Sequence, residues 1–340
     1  MTMTVGIMGF GRIGRNVFRL LYRRDDIRVV AVSDLGDTAS VEYLLKFDTL
    51  FGRFPDQVSA KEGNLYVAGR QIALLAGQEK GVIPPWGTLG VDTVIEATAR
   101  RLTRADLERH LAAGAKRVIL CEPPVDALDL TVVNGINDGL LRREHRMVSS
   151  ASSTVHCVAP VAKILLDAFG IRKLLFTTIH SYTNQHRLAD VPAEDMRRGR
   201  AAAENIIPQD SRSPGMLMEL IPELAGKVVG AAMNVPVPNG SAVDLVCWHE
   251  KKVTVTAINE VARTAIAAKW KGIMAYETEP IVSSDIAHSS FSSTFDSLAT
   301  MVLGENVSKT LSWYDAGWGY AHRAVELLER FVALDREASR

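Results

Sequence analysis

Three cysteines in 340 residues, Cys121, Cys157 and Cys247, are too few for a disulfide framework, and their spacing matches no metal motif. So sparse and odd a set predicts reduced thiols and a cytoplasmic protein. Charge of one sign is also missing: 39 basic residues balance 39 acidic ones. With no global field to recruit nucleic acid or an anionic membrane, neither is expected as a partner. No apolar run reaches the roughly 20 residues that a membrane-spanning helix needs. Met1-Thr2-Met3-Thr4 leads straight into a strand-like run, with no charged segment or cleavage site, so no signal peptide is expected. Internal repeats and low-complexity segments are absent as well. What remains is an ordinary globular composition at a length that suits two domains.

The first half carries a nucleotide-binding pattern. Val5 to Met8 reads as a buried strand, Gly9-Phe10-Gly11-Arg12-Ile13-Gly14-Arg15 follows, and Asn16 to Arg24 is helix-like. Val29 to Ser33 is a second strand, closed by Asp34, 20 residues after Gly14. Each position has a mechanical reason. Gly9 permits a tight turn, Gly11 lets a pyrophosphate approach the backbone, and Gly14 lets the helix pack on the strand. The helix N-terminus, with Phe10, Arg12 and Ile13 around it, faces the phosphates. Asp34 accepts hydrogen bonds from the adenosine ribose, which favours NAD over NADP. Helix-like Val41 to Phe47, strand Thr93 to Ala97 ending at Thr98, helix Arg104 to Ala113 and strand Arg117 to Cys121 continue the alternation. Thr131 to Val133 and Arg146 to Val148 are candidates for the last two strands. Such alternation predicts a doubly wound parallel sheet, with its ligand at the carboxyl ends of the strands, where Gly9, Asp34 and Thr98 sit.

Near the middle of the chain stands Ser149-Ser150-Ala151-Ser152-Ser153-Thr154-Val155-His156-Cys157-Val158-Ala159-Pro160, ahead of an apolar, helix-like run from Val158 to Phe169. Small hydroxyl residues ahead of a helix form its N-terminus, where amides and dipole favour a negatively charged oxygen or sulfur. This stretch is read as the junction of two domains and as the reaction centre. Beyond it, Leu174 to Ile179 is a strand ending at His180. A polar stretch from Ser181 to Pro214 is too long for a loop without a role, and Ala201 to Ile207 in it reads as a helical turn. Lys227 to Val235, Ala242 to Trp248 and Lys252 to Thr256 read as strands, and Ile258 to Trp270 as an amphipathic helix. Ala299 to Leu303 and Val307 to Trp313 close an antiparallel sheet, and Tyr320 to Leu334 is the C-terminal helix.

Taken together, these pieces resemble the phosphorylating, NAD-dependent glyceraldehyde-3-phosphate dehydrogenase family from Val5 to about Phe331. The quotable matches are GFGRIGR (9–15), LLKFDTLFGRF (44–54), SSASSTVHCVAP (149–160), HSYTN (180–184), RRGRAAAENIIP (197–208), IPEL (221–224), VSSD (282–285) and SWYDAGWGYAHR (312–323). The resemblance implies a Rossmann NAD-binding domain over 1–150, with a C-terminal helix at about 316–336 packing back on it. It also implies an α+β catalytic domain over 151–315 with a mainly antiparallel sheet. It further implies a homotetramer in which Ser181 to Pro214 lies against a neighbouring subunit's cofactor site. The partners it implies are a phosphorylated aldehyde and inorganic phosphate.

In that family a cysteine attacks the aldehyde, a histidine takes the proton, hydride passes to NAD, and phosphate cleaves the thioester. The histidine maps to His180. The cysteine maps to Ser153, a far weaker nucleophile because a hydroxyl is hardly ionised at neutral pH. Cys157 lies one helical turn deeper and reads as a structural thiol. Other departures gather nearby: Asn234 stands for the arginine that holds the substrate phosphate, and Gln185 for an aspartate beside it. Arg212 stands for a glycine and Ser211 for a threonine at the site of the attacking phosphate. Ala316 stands for the asparagine that holds the nicotinamide carboxamide; Met8 and Ser33 replace asparagines of the cofactor site. Ser152, Thr154 and Thr183 keep hydroxyls, and Arg197, Arg198, Arg200 and Arg212 offer positive charge. Ser153 fits two origins, an engineered replacement or a natural feature of a diverged branch; Val155, His156, Asn234 and Ala316 belong to the branch itself. Two further functions stay open: a dehydrogenase of another aldehyde, such as erythrose 4-phosphate, and a non-catalytic NAD-binding protein with a regulatory role.

Overall fold

A computed structural model describes residues 2–338. The chain divides into two compact units, one of residues 1–132, 140–151 and 321–340, the other of residues 133–139 and 152–320.

The first unit is built on a sheet that begins with β1 (Met3–Met8), followed by helix α1 (Arg12–Leu21) and β2 (Ile27–Ser33). Helix α2 (Thr38–Lys46) leads into a small ribbon of β3 (Phe47–Asp48) and β4 (Gly52–Arg53). The antiparallel strands β5 (Val58–Lys61), β6 (Asn64–Val67) and β7 (Arg70–Leu75) come next. After them come β8 (Thr93–Glu96), helix α3 (Arg104–Ala112), β9 (Arg117–Leu120), β10 (Leu130–Thr131) and β11 (Met147–Ser149). Among the described residues the sheet order is β10-β11-β9-β8-β1-β2-β7-β6-β5, parallel from β10 to β7. This is the predicted doubly wound sheet. Because β1 pairs with β2 on one side and β8 on the other, Met8 stands beside both Ser33 and Glu96. The residues that follow those three, Gly9, Asp34 and Ala97, therefore share one edge of the sheet. Val94, Val118, Leu107 and Trp86 are among the residues of the buried core behind that edge.

The second unit opens on α4 (Ser153–Phe169), then β12 (Lys173–Ser181), β13 (Ile207–Gln209) and α5 (Ser213–Leu220). It continues through β14 (Val228–Val235), β15 (Ser241–Trp248), α6 (Val255–Ala267), β16 (Met274–Glu277), β17 (Ser293–Leu303) and β18 (Val307–Tyr314). The sheet order is β13-β14-β12-β15-β18-β17-β16. Two of its pairings are parallel, β12 with β14 and β16 with β17; the others are antiparallel, as predicted. Helix α7 (Trp318–Glu337) ends the described fold. No helix among the described residues is long and apolar enough to cross a membrane.

Several elements differ from the sequence reading. Lys252 to Thr256 is not a strand: the Thr254 hydroxyl accepts from the Ala257 amide at 3.1 Å and starts α6, so capping overrides β propensity. In Ala201 to Ile207 the turn read from the sequence is confined to 202–204, and Ile207 already starts β13. Helix α1 starts at Arg12 rather than Asn16, since Gly11 serves as its N-cap and the glycine turn runs directly into it. Thr38 to Lys46 is the helix read from Val41 to Phe47; Asp37 caps it from outside by accepting the Ser40 amide at 2.7 Å. The ribbon of β5 to β7 and the helix α5 are additions to that reading.

Candidate active site

In the first unit the glycine turn follows its mechanical rationale closely. Gly9 has φ +88, and a Cβ there would stand 2.7 Å from the Thr98 amide nitrogen. A Cβ on Gly14 would stand 2.1 Å from the Gly9 carbonyl oxygen. Gly11 is different: a Cβ would meet nothing within 4 Å, so open space lies over the turn where a pyrophosphate must approach. No side chain caps α1, which leaves its first-turn amides, including those of Arg12 and Ile13, for a ligand. Asp34 also shapes the turn. Its Oδ2 accepts the Phe10 amide at 2.6 Å and its Oδ1 the Gly36 amide at 2.8 Å, and each oxygen retains a second lone pair. Arg15, which sequence reasoning passed over, donates to the Phe10 carbonyl at 3.0 Å and pairs with Asp48 at 3.5 Å. Thr98 and Asp34 are half-buried at this edge. Open space at Gly11, an accepting carboxylate and an uncapped helix start together fit a dinucleotide.

In the second unit Ser153 is the first residue of α4 and is half-buried. Ser152 is the N-cap, its hydroxyl accepting from the Val155 amide at 3.2 Å. The amides of Ser153 and Thr154 then carry no bond within the helix and add their partial positive charge to the Ser153 side chain's surroundings. His180 lies one residue before the end of β12. Its Nδ1 donates to the Ser181 carbonyl at 2.6 Å, which places the neutral ring's proton on Nδ1 and its lone pair on Nε2. Tyr314 meets both Thr154, in the first turn of α4, and His180. Its hydroxyl is 3.0 Å from Thr154 Oγ1, and its ring meets the His180 ring edge to face at 6.1 Å. Burial pushes the Tyr314 phenol upward, so it stays a neutral bridge. Tyr314 closes a strand inside the SWYDAGWGYAHR match, which marked the segment but gave this residue no role.

Cys157 is fully buried, 3.5 Å from Ser293 Oγ, and burial pushes its thiol up to about 12. So held it is an unreactive thiol, because thiolate rather than thiol attacks. Asn234 stands opposite His180 in the parallel pairing of β12 and β14, and it is only 1% exposed. Its Nδ2 donates to the Ser181 carbonyl at 3.3 Å, so the side chain braces the strand end that carries His180. Thr183 gathers His186: its amide and its hydroxyl each lie 3.1 Å from His186 Nδ1. Burial holds the His186 imidazole below its ordinary value. Ser211 is half-buried and accepts the Ser213 amide at 3.2 Å, while Arg212 is exposed at the start of α5. Arg198 and Arg200 are engaged along their own segment, with Asp195 at 3.6 Å and Asp190 at 2.8 Å. Ala316 is half-buried and follows Asp315, whose carboxylate accepts the amides of Gly317 and Trp318.

Comparison with known proteins gives the family. Residues 3–104 match the glyceraldehyde 3-phosphate dehydrogenase NAD binding domain, and residues 152–316 match the C-terminal domain of the same enzyme. The chain belongs to the glyceraldehyde-3-phosphate dehydrogenase family. It is 47% identical over 328 residues to glyceraldehyde-3-phosphate dehydrogenase of Geobacillus stearothermophilus, covering 96% of this chain and 97% of the relative. The enzyme of Streptomyces coelicolor is 48% identical over 330 residues, covering 96% and 98%. That of Mycobacterium leprae is 44% identical over 334 residues, again 96% and 98%. The first unit of this dehydrogenase-family chain is accordingly an NAD-binding domain, and the glycine turn lies inside the matched segment.

Proposed function

We propose that this chain is an NAD-dependent dehydrogenase of a phosphorylated aldehyde, with its nucleophile position occupied by Ser153. The observation that carries the reading is that Thr154, the neighbour of Ser153 at the start of α4, and His180 both meet one buried tyrosine, Tyr314. Ser153 Oγ adds to the aldehyde carbon, and His180 Nε2 takes the hydroxyl proton. The first-turn amides of α4 stabilise negative charge as it develops on oxygen. His180, then protonated, donates to that oxygen until it collapses. NAD, when bound, supplies the hydride acceptor. Gly9, Phe10, Gly11, Arg12, Ile13 and Gly14 would hold its pyrophosphate and Asp34 its ribose, with Thr98 beside the glycine turn; Ala316 is assigned to the cofactor from the resemblance alone. Ser152, Thr183, Ser211, Arg212 and Asn234 form the surroundings of substrate and phosphate. A hydroxyl is hardly ionised at neutral pH, so Ser153 attacks slowly, and the ester it forms is less reactive towards phosphate than a thioester.

Asn234 favours one variant of this reading. Its donor is committed to the main chain of β12, so it holds a substrate phosphate less firmly than a charged group would. Another aldehyde, such as erythrose 4-phosphate, oxidised through its hydrate, fits that loss. The test is NADH formation from glyceraldehyde 3-phosphate and from other aldehydes, each with and without inorganic phosphate. Turnover that needs phosphate supports the phosphorylating reaction; turnover without it supports the variant. NAD binding with no turnover on any aldehyde would replace both with a non-catalytic, regulatory role. A homotetramer is part of the proposal and is read from sedimentation.

A further inference from the structure

The chemistry above leaves unused a charged and polar chain inside the first unit. Glu96, at the end of β8, is 2% exposed, His110 on α3 is 1% exposed, and Trp86 is fully buried. They are bonded in series. Trp86 Nε1 donates to His110 Nδ1 at 2.9 Å, and His110 Nε2 lies 3.2 Å from Glu96 Oε2. Glu96 Oε1 accepts the Thr98 amide at 2.9 Å and the Thr98 hydroxyl as well. The indole can only donate, so His110 Nδ1 accepts and the ring proton sits on Nε2, directed at Glu96. Every bond in the series thus has a fixed direction, from Trp86 through His110 to Glu96, and the last acceptor clamps Thr98.

Packing alone does not explain this. The surrounding core is Met8, Val94, Leu107, Val118 and Leu120, and an apolar pair would fill such a place at least as well as an acid and an imidazole. What the clamp does fix is the residue lying against the glycine turn, since a Cβ on Gly9 would stand 2.7 Å from the Thr98 nitrogen. Ala99, the next residue, is held at φ +55, a left-handed conformation that a non-glycine residue keeps only where its surroundings impose it. We propose that Glu96 is a positioning residue for NAD binding, holding residues 97–99 in place beside the glycine turn, with His110 and Trp86 orienting its carboxylate. This rests on the reading of the glycine turn and Thr98 as the cofactor site.

The experiment is NAD binding by isothermal titration calorimetry, with amide hydrogen exchange followed over residues 97–99. In Glu96→Gln one carboxamide cannot accept from both Thr98 and His110, so one bond becomes donor against donor. The dissociation constant is expected to rise about tenfold or more, and exchange at 97–99 to quicken. His110→Gln preserves one acceptor and one donor in the same order and should stay within about threefold of the unaltered chain, whereas His110→Phe should lose affinity as Glu96→Gln does. A folded Glu96→Gln chain that melts lower yet binds NAD as well as the unaltered one would overturn the positioning role and leave a structural one. If Glu96→Gln does not fold, equal affinities in His110→Gln and His110→Phe would overturn it instead. Absence of NAD binding by the unaltered chain would overturn the cofactor-site reading itself, and the positioning role with it.

Discussion

Replacing Tyr314 with phenylalanine removes one oxygen from the centre of the second unit, and the loss can be worked from the contacts. The ring stays, so the packing against His180 at 6.1 Å is kept. Thr154 Oγ1 loses its 3.0 Å partner in a residue only 7% exposed. Ser241, which also hydrogen-bonds the phenol, is less affected, because its hydroxyl accepts the Ser181 amide at 3.1 Å as well. The largest penalty comes from one buried hydroxyl left unsatisfied, about 1–3 kcal/mol. At about 2–4 °C per kcal/mol for a unit of this size, a loss near 2 kcal/mol lowers the melting temperature by about 4–8 °C. Thr154→Val removes the other end of the same bond. In the double variant neither hydroxyl is stranded, so the combined loss should fall short of the sum by about 1 kcal/mol. Calorimetric melting of the four chains of the cycle gives that coupling. Additive losses, within about 0.3–0.5 kcal/mol, would refute the bridge.

Gly11→Val should leave the fold intact, since the added Cβ meets nothing, yet abolish NAD binding measured by calorimetry. Gly14→Ala puts a Cβ 2.1 Å from the Gly9 carbonyl and should destabilise by at least the ~1–3 kcal/mol of ordinary overpacking, read from denaturant midpoints. Asp335 accepts two 2.7 Å bonds from Arg117, and those bonds hold its carboxyl below the usual carboxylate range. A depressed folded value means stability present above the unfolded value of about 4 and lost as pH falls through the folded one. Asp335→Asn should therefore cost about 1.5–3 kcal/mol at pH 7 and progressively less towards pH 3, by melting at each pH. All three cysteines are buried, with Cys157 pushed up to about 12 and the other two also raised, so Ellman's reagent at pH 8 should find no thiol until the chain is unfolded.

The cofactor half was legible because its signals are local. A glycine that needs positive φ, a glycine that needs empty space and an acid ending the next strand sit at fixed spacings; Gly9 has the positive φ, Gly11 the empty space, and Asp34 stands at the end of its strand beside them. Reading β12 through to His180 was possible because an apolar strand ends there. The clamp on Thr98 was not legible, since Trp86, Glu96 and His110 are brought together only by the folded sheet and α3. Tyr314 was missed for the same reason: its partner Thr154 is 160 residues away. Lys252 to Thr256 was misread because β-branched residues favour a strand until one of them, Thr254, finds a helix to cap. Asn234 was read from resemblance as a substrate residue, and only the pairing of β12 with β14 revealed its bond to the main chain.

Whether Ser153 holds the nucleophile position of a dehydrogenase site is decided by NAD reduction with glyceraldehyde 3-phosphate and inorganic phosphate, run on this chain and on Ser153→Cys. The cysteine chain is expected to turn over at about tens per second, an ordinary enzyme rate, while the serine chain is slower by several orders of magnitude. Silence from both chains, with NAD still bound, would contradict that assignment and turn attention to Asn234 and Ala316, the residues proposed for substrate and nicotinamide.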